Sequence, residues 1–346
     1  MSKTDLMPTP RINPLGHMAE SKDVIQVPAH MIPAFNVWKA FEEGKNRKFL
    51  INTWGGLGDQ ICSEPAIRYA LKNFNKCEIS LASRTPSIFS HLSFKETFDT
   101  REPENFPVWN DYLVFQTIVN PDYLIWQFAS HMLTHCVDFP ALCMWRATLP
   151  IADKEIILPD FEMTEQVRSA LNEKEKTIVL HPGRHWPSKT FPESWWNSQI
   201  KAFQDRGFKI CLIGAKVDEN VGYADVDATG CIDLRDKLSI PEYVSILKNC
   251  AYLFSNDSSP IHAAAAGDAF IGFVASVKHP DYITHWRKGQ WGYKTKSFEL
   301  DGPWNHIDQN PVQKNEVKIE KLPDGLMEKL LPNPEDVAAF YAGLRG

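Results

Sequence analysis

The sequence predicts an α/β protein made of two successive units, each with a parallel sheet. Three observations carry this. Short apolar runs of β-forming residues alternate with longer segments of helical spacing. The alternation happens twice, over residues 48–160 and again over 175–325. Each cluster of chemistry-bearing residues directly follows an apolar run, where open parallel sheets bind ligands.

Residues 1–47 read as an extension. They carry Pro8, Pro10, Pro14, Pro28 and Pro33, and only 35–43 has the spacing of a short helix. Residues 48–53 (KFLINT) form the first strand, followed by Gly55, Gly56 and Gly58. Ile61, Pro65, Ala66, Tyr69 and Ala70 then mark a helix, with Pro65 at its start or at a kink. Strands at 78–82 and 112–115 and a helix-rich stretch over 122–145 complete the first unit. The second unit opens with a polar helix at 164–172 and a strand at 177–180. An amphipathic helix at 194–206 stops at Gly207 and leads into a strand at 208–213. A helix at 240–248, a strand at 252–255, a helix at 262–266 behind Pro260 and a strand at 270–274 follow. The tail, 326–346, carries a helix at 333–344, expected to pack back on the N-terminal domain.

Composition narrows the function classes. Hydrophobic residues are 43% and charged residues 23%, as in a globular protein rather than a disordered chain, a collagen or a coiled coil. Apolar runs fall far short of the roughly 18–20 residues that span a bilayer, and the N-terminus lacks a secretory h-region, so the expected compartment is the cytoplasm, of a host cell if the chain is viral. A net charge of −6 gives no global footprint for nucleic acid. Cys62, Cys77, Cys136, Cys143, Cys211, Cys231 and Cys250 are odd in number, spread out and without a C-x-x-C pair. They read as reduced, mostly buried thiols rather than a disulfide framework or a metal site.

Four segments can carry chemistry. In the first, Gly55-Gly56-Leu57-Gly58-Asp59 puts a carboxylate at the start of a helix behind a turn where backbone can approach a ligand. A dinucleotide fingerprint fits poorly, because position 61 is Ile and the acidic residue downstream would be Glu78. On its own, Asp59 reads as a helix cap. The second segment, 181–189 (HPGRHWPSK), leaves a strand with Gly183, Arg184 and Lys189; a lysine there is either a mobile charge for a phosphate or simply solvated. In the third, Asn256-Asp257-Ser258-Ser259-Pro260 starts a helix whose amides and hydroxyls suit an anion, or form only an N-cap. The fourth, residues 278–296, has five Lys/Arg, two His and a single acidic residue, interleaved with Tyr282, Trp286, Trp291 and Tyr293. It reads as a platform for a base or single strand, or as a surface loop.

Taken together the motifs resemble glycosyltransferase family 9, the heptosyltransferase-like enzymes. The carrying residues are 55–71 (GGLGDQICSEPAIRYAL), 181–196 (HPGRHWPSKTFPESWW) and 255–267 (SNDSSPIHAAAAG), in the family's order. The resemblance covers roughly 48–275 and leaves the first 47 residues outside. It departs at Ser259, where the family usually has Gly, and after 270–274, where the family has a G-P-T loop.

The resemblance implies a GT-B fold, two Rossmann-like domains facing across a cleft: an acceptor domain at 48–160 and a nucleotide-sugar donor domain at 175–325. It also implies inverting, metal-independent transfer of a sugar from a nucleotide-diphosphate donor, with no cofactor. Asp59 would then be the general base, with Gly56, Gly58 and Gln60 in the acceptor loop. Lys189, Asp257, Ser258, Ser259, Gly183 and Arg184 would hold the diphosphate, and Asp218 or Glu219 the donor sugar or ribose. The acceptor would be a lipopolysaccharide-core-like glycan, with peripheral membrane contact, or a hydroxymethylated base in viral DNA. A non-catalytic nucleotide-sugar-binding protein and a GT-B epimerase are the rivals. In the transition state a placed carboxylate takes the acceptor's proton while a lysine and helix amides meet the charge growing on the diphosphate.

Overall fold

A computed structural model of the chain describes residues 6–7, 27–28, 48–74, 77–102, 112–117, 135–145, 148–183, 189–215, 226–276, 278–300 and 329–345. The expected helix at 35–43, residues 122–134 of the expected helix-rich stretch 122–145, and the candidates Arg184, Asp218 and Glu219 lie outside these residues. The chain divides into two compact units, Met1–Pro159 and Asp160–Gly346. Among the described residues no helix is long and apolar enough to cross a membrane.

In the first unit β1 (Lys48–Asn52) is followed by α1 (Leu57–Asn73), β2 (Glu78–Ser83), β3 (Thr97–Asp99), β4 (Tyr112–Gln116) and α2 (Asp138–Trp145). The four strands pair parallel in the order β3-β2-β1-β4. Four of the five β1 residues are buried, as a central strand covered on both faces requires. Pro65 neither starts nor ends α1, which runs through it as one helix. The buried Glu64 beside it anchors that helix, accepting from Arg68 Nε at 2.8 Å and from the Ile157 amide at 2.9 Å.

The second unit contains α3 (Glu165–Ala170), β5 (Thr177–His181), α4 (Glu193–Asp205), β6 (Lys209–Leu212), β7 (Ile232–Asp233), α5 (Ile240–Asn249), β8 (Tyr252–Asn256), α6 (Ser259–Ala264) and β9 (Phe270–Ala275). A hairpin, β10 (Trp286–Arg287) and β11 (Gln290–Trp291), then leads to β12 (Thr295–Glu299) and α7 (Pro334–Gly343). Six strands form a parallel sheet in the order β12-β9-β8-β5-β6-β7. Caps fix the helix starts: Ser239 and Glu242 form a capping box on α5, and Asn333 caps α7. Gly207, at φ +74°, follows α4 in the left-handed region that glycine adopts without strain.

The tail helix α7 packs within the second unit, on α4. Aromatic complementarity holds it there. Tyr341 is buried among Phe203, Tyr252, Phe254 and Phe270, and its hydroxyl donates to the Leu253 carbonyl at 2.5 Å. Gly272 makes room, since a Cβ there would lie 2.1 Å from the Tyr341 hydroxyl. Burial pushes that phenol well above its ordinary range.

Candidate functional site

Both sheets bring their chemistry to the carboxyl ends of central strands. In the first unit the chain leaves β1 for β2 on one side, and β4 pairs on the other, so the end of β1 is a topological switch point. Thr53 and Thr117 continue the pairing there: the Thr53 amide donates to Ala82 at 2.9 Å and the Thr117 amide to Asn52 at 3.2 Å. The turn then needs glycine. Gly55 sits at φ +93°, and a Cβ on it would lie 2.6 Å from Asp59 Oδ2. That oxygen accepts from the Gly56 amide at 2.8 Å, so Asp59 does cap α1. The cap uses only Oδ2, and the carboxylate stays half-exposed beside the exposed Gly56 and half-buried Gly58.

Gln60 does not line an acceptor loop. It is buried, and its Oε1 accepts from the hydroxyls of Ser83 at 2.8 Å, Thr85 at 2.9 Å and Thr53 at 3.2 Å. An amide oxygen among three hydroxyls at the ends of β1 and β2 fixes the floor beneath the turn. The sequence places Gln60 beside the Asp59 carboxylate, but one residue of helix rotation turns it inward.

In the second unit the switch point lies at β5, with β6 on one side and β8 on the other. Lys189 and Asp257 form a buried ion pair there, their side chains 7% and 4% exposed. Lys189 is therefore a fixed charge, not the mobile one that its loop position suggested. Asn256, fully buried at the end of β8, donates to the Lys189 carbonyl at 2.8 Å and the Gly183 carbonyl at 3.3 Å. One side chain thus staples both ends of the loop from 183 to 189. Its Oδ1 accepts from the Ser258 hydroxyl at 2.8 Å.

Ser258 also lies 3.3 Å from His181 Nδ1, and the His181 ring packs on Gly214, where a Cβ would come within 2.7 Å. Gly214 sits at φ +98°. Ser259 Oγ pairs with the Tyr243 hydroxyl at 2.9 Å. The structure so brings together Gly183, Lys189, Asp257 and Ser258, and adds Asn256 and His181, which sequence reasoning gave no role. Their signal was position alone, since both are polar residues that end apolar strands.

Residues 278–296 turn out to be a folded element. Lys288 and Lys294 pair with Asp268 at 2.5 and 2.7 Å, and they and Arg287 lie over the Tyr293 ring. The buried Arg287 donates to the carbonyls of Gly267 and Tyr293 at 2.7 and 3.0 Å. His285 and His262, both buried, lie 2.7 Å apart through their ring nitrogens, joining the hairpin to α6. Several of these cations and rings therefore contact one another within the fold, while Trp291 stays 39% exposed on the hairpin. Two of the thiols are inert: burial pushes Cys211 and Cys250 up to about 12.

The family model described as glycosyltransferase family 9 (heptosyltransferase) matches residues 129–272, which include both loops of the second site but not the Asp59 turn. Lipooligosaccharide heptosyltransferase 2 of Haemophilus ducreyi is 30% identical over 101 residues, 27% of this chain and 29% of that protein. The Haemophilus influenzae enzyme of the same name is 26% identical over 151 residues, 42% of each chain. The alignments thus span less than half the length of these relatives. The structure of E. coli ADP-heptose lps heptosyltransferase II superposes with a TM-score of 0.54 at 14% identity, covering 86% of this chain and 100% of that one. It shares the fold, and the expected GT-B class stands. The matched segment is thus similar to glycosyltransferase family 9, and the fold around it is the one shared by solved structures of such enzymes.

Proposed function

We propose that the chain is an inverting glycosyltransferase that moves a heptose-type sugar from a nucleotide diphosphate to a hydroxyl of a lipopolysaccharide-core glycan. The observation that carries this reading is the buried Lys189–Asp257 pair, held at the switch point of a parallel sheet by Asn256. A fixed cation in a low-dielectric setting stabilises charge developing on a leaving diphosphate without reorganising. Asn256 ties the Gly183 and Lys189 carbonyls and the Ser258 hydroxyl together beside this pair. The names of the relatives support a heptosyl donor and a lipooligosaccharide acceptor.

The first unit supplies the acceptor side. The acceptor oxygen attacks the anomeric carbon as the bond from that carbon to the diphosphate oxygen breaks. Asp59 takes the acceptor's proton, and the nucleoside diphosphate leaves with the bonding electrons. Attack opposite the leaving group inverts the anomeric centre. Lys189 supplies the positive charge at the diphosphate, so the reaction needs no metal and no cofactor in this reading.

A thermal-shift panel of ADP, UDP, GDP and CDP and their sugars tests the donor site. A ligand at 100 times its Kd adds about 2.7 kcal/mol to stability, a measurable rise in Tm. One nucleotide series should raise Tm, and its sugar should be consumed only when a core oligosaccharide is added. A folded protein that no nucleotide shifts overturns the reading. Consumption of donor without acceptor points instead to an epimerase or hydrolase.

A further inference from the structure

We propose that Trp54 forms the floor of an acceptor subsite, stacking on the apolar face of the sugar ring whose hydroxyl Asp59 deprotonates. The inference rests on the transferase reading above and adds a recognition element to it. Among the described residues five large apolar side chains are exposed: Trp54, Ile151, Ile157, Trp291 and Leu344. Single exposed apolar residues are ordinary on protein surfaces. Trp54 differs by its place. It is 46% exposed at the carboxyl end of a central parallel strand, while Phe49, Leu50 and Ile51 of the same strand are all buried.

Its backbone is held on rigid ground. The Trp54 amide donates to Thr117 Oγ1 at 3.3 Å, across the switch point, and the preceding Thr53 is buried and hydrogen-bonded into β2. Sites built on strand ends hold their groups more precisely than sites on free loops. The next two residues, Gly55 and Gly56, have no side chains, so nothing of their own stands over the path to Asp59. A Cβ on Gly55 would be 2.6 Å from Asp59 Oδ2, and consecutive Cα atoms are about 3.8 Å apart. The Trp54 backbone therefore lies within about 8 Å of the carboxylate, roughly the span of one sugar ring.

The chemistry fits a sugar in particular. A pyranose shows polarised C–H groups on one face, and the negative face of an indole attracts them. The ring's hydroxyls stay at the rim, in water or toward Asp59. An indole brings a large contact area with few rotatable bonds, so little freedom is lost on binding. A chain that bound only the nucleotide would gain nothing from an exposed indole beside a carboxylate at the other unit's sheet.

The test compares Trp54→Ala and Trp54→Phe with the wild type, by saturation-transfer NMR with a de-acylated lipooligosaccharide core oligosaccharide. ADP affinity and Tm are measured on the same preparations. Trp54→Ala should weaken the oligosaccharide by about tenfold or more, and Trp54→Phe by no more than about threefold, because a smaller ring still stacks. ADP affinity and Tm should stay at wild-type values, since the indole is not part of the core. Equal affinity in wild type and Trp54→Ala overturns the proposal, as does a wild type that binds no core oligosaccharide. Trp54-dependent oligosaccharide binding without any sugar transfer keeps the subsite and removes the transferase reading, so the two claims fail separately.

Discussion

The two sheet edges solve opposite problems. The Asp59 edge is open: Trp54 and Gly56 are exposed and the carboxylate is half-exposed, tied by one backbone amide. The Lys189 edge is closed: Lys189, Asp257, Asn256, Ser258 and His181 are all buried and bonded to one another. A base must meet an acceptor arriving from water, and it needs reach rather than burial. A site for a diphosphate must hold charge before the ligand arrives, which requires polar groups fixed in a low dielectric. The same carboxyl-edge rule places both clusters; in the proposed transferase reading, solvent exposure divides their labour.

That contrast can be broken at its closed side first. Lys189→Ala strips the partner from a buried carboxylate, which typically costs about 3–5 kcal/mol. The expected result is a large fall in Tm by calorimetry together with loss of nucleotide binding. A variant that melts like the wild type would show that the pair is solvated, and the closed edge would lose its meaning. The double variant Lys189→Met with Asp257→Asn separates the two effects: it should regain stability without regaining the nucleotide.

A smaller effect bounds the comparison away from both edges. Lys288 and Lys294 hold the Asp268 carboxyl down to about 2, from an ordinary 3.8. A depressed carboxyl contributes stability above its ordinary value and loses it as pH falls toward the folded one. Asp268→Asn should therefore lower stability slightly at neutral pH, by less than about 1 kcal/mol for so exposed a pair. The gap to wild type should close as pH drops from about 4 to about 2, read by thermal melts across that range. Nucleotide binding should not change. A loss of nucleotide binding in this variant would tie the hairpin to the donor site.

Much of this was legible in the sequence, for physical reasons. Central strands such as 177–181 and 252–256 bury every residue, so they appear as apolar runs. The start of α6 announced itself through Pro260. The edge strands β3, β7 and β12 went unseen because they are short or polar, and their partners rather than their own residues define them. Residues 278–296 were only partly legible for a related reason. Charge and aromatic content are visible in a sequence, but the single Asp268 that absorbs two of the lysines lies ten residues upstream. The tail helix was legible as a helix, whereas its docking on α4 depends on Tyr341 finding the space over Gly272. At the site, the types and order of the residues were legible. Which of them face inward was not: Gln60 and Asn256 are polar residues used to brace backbone, and only the fold reveals that.

In the proposed mechanism Asp59 is a base that can be changed without disturbing anything else. Asp59→Asn keeps an oxygen to accept the Gly56 amide, so the cap of α1 survives while the proton acceptor is lost. The decisive measurement is single-turnover sugar transfer by this variant, with donor affinity and Tm taken from the same sample. The predicted result is a rate lower by about 10²–10⁴-fold with donor affinity and Tm at wild-type values. Transfer at the wild-type rate, or a joint loss of transfer, donor binding and folding, would contradict it and leave Asp59 as a helix cap.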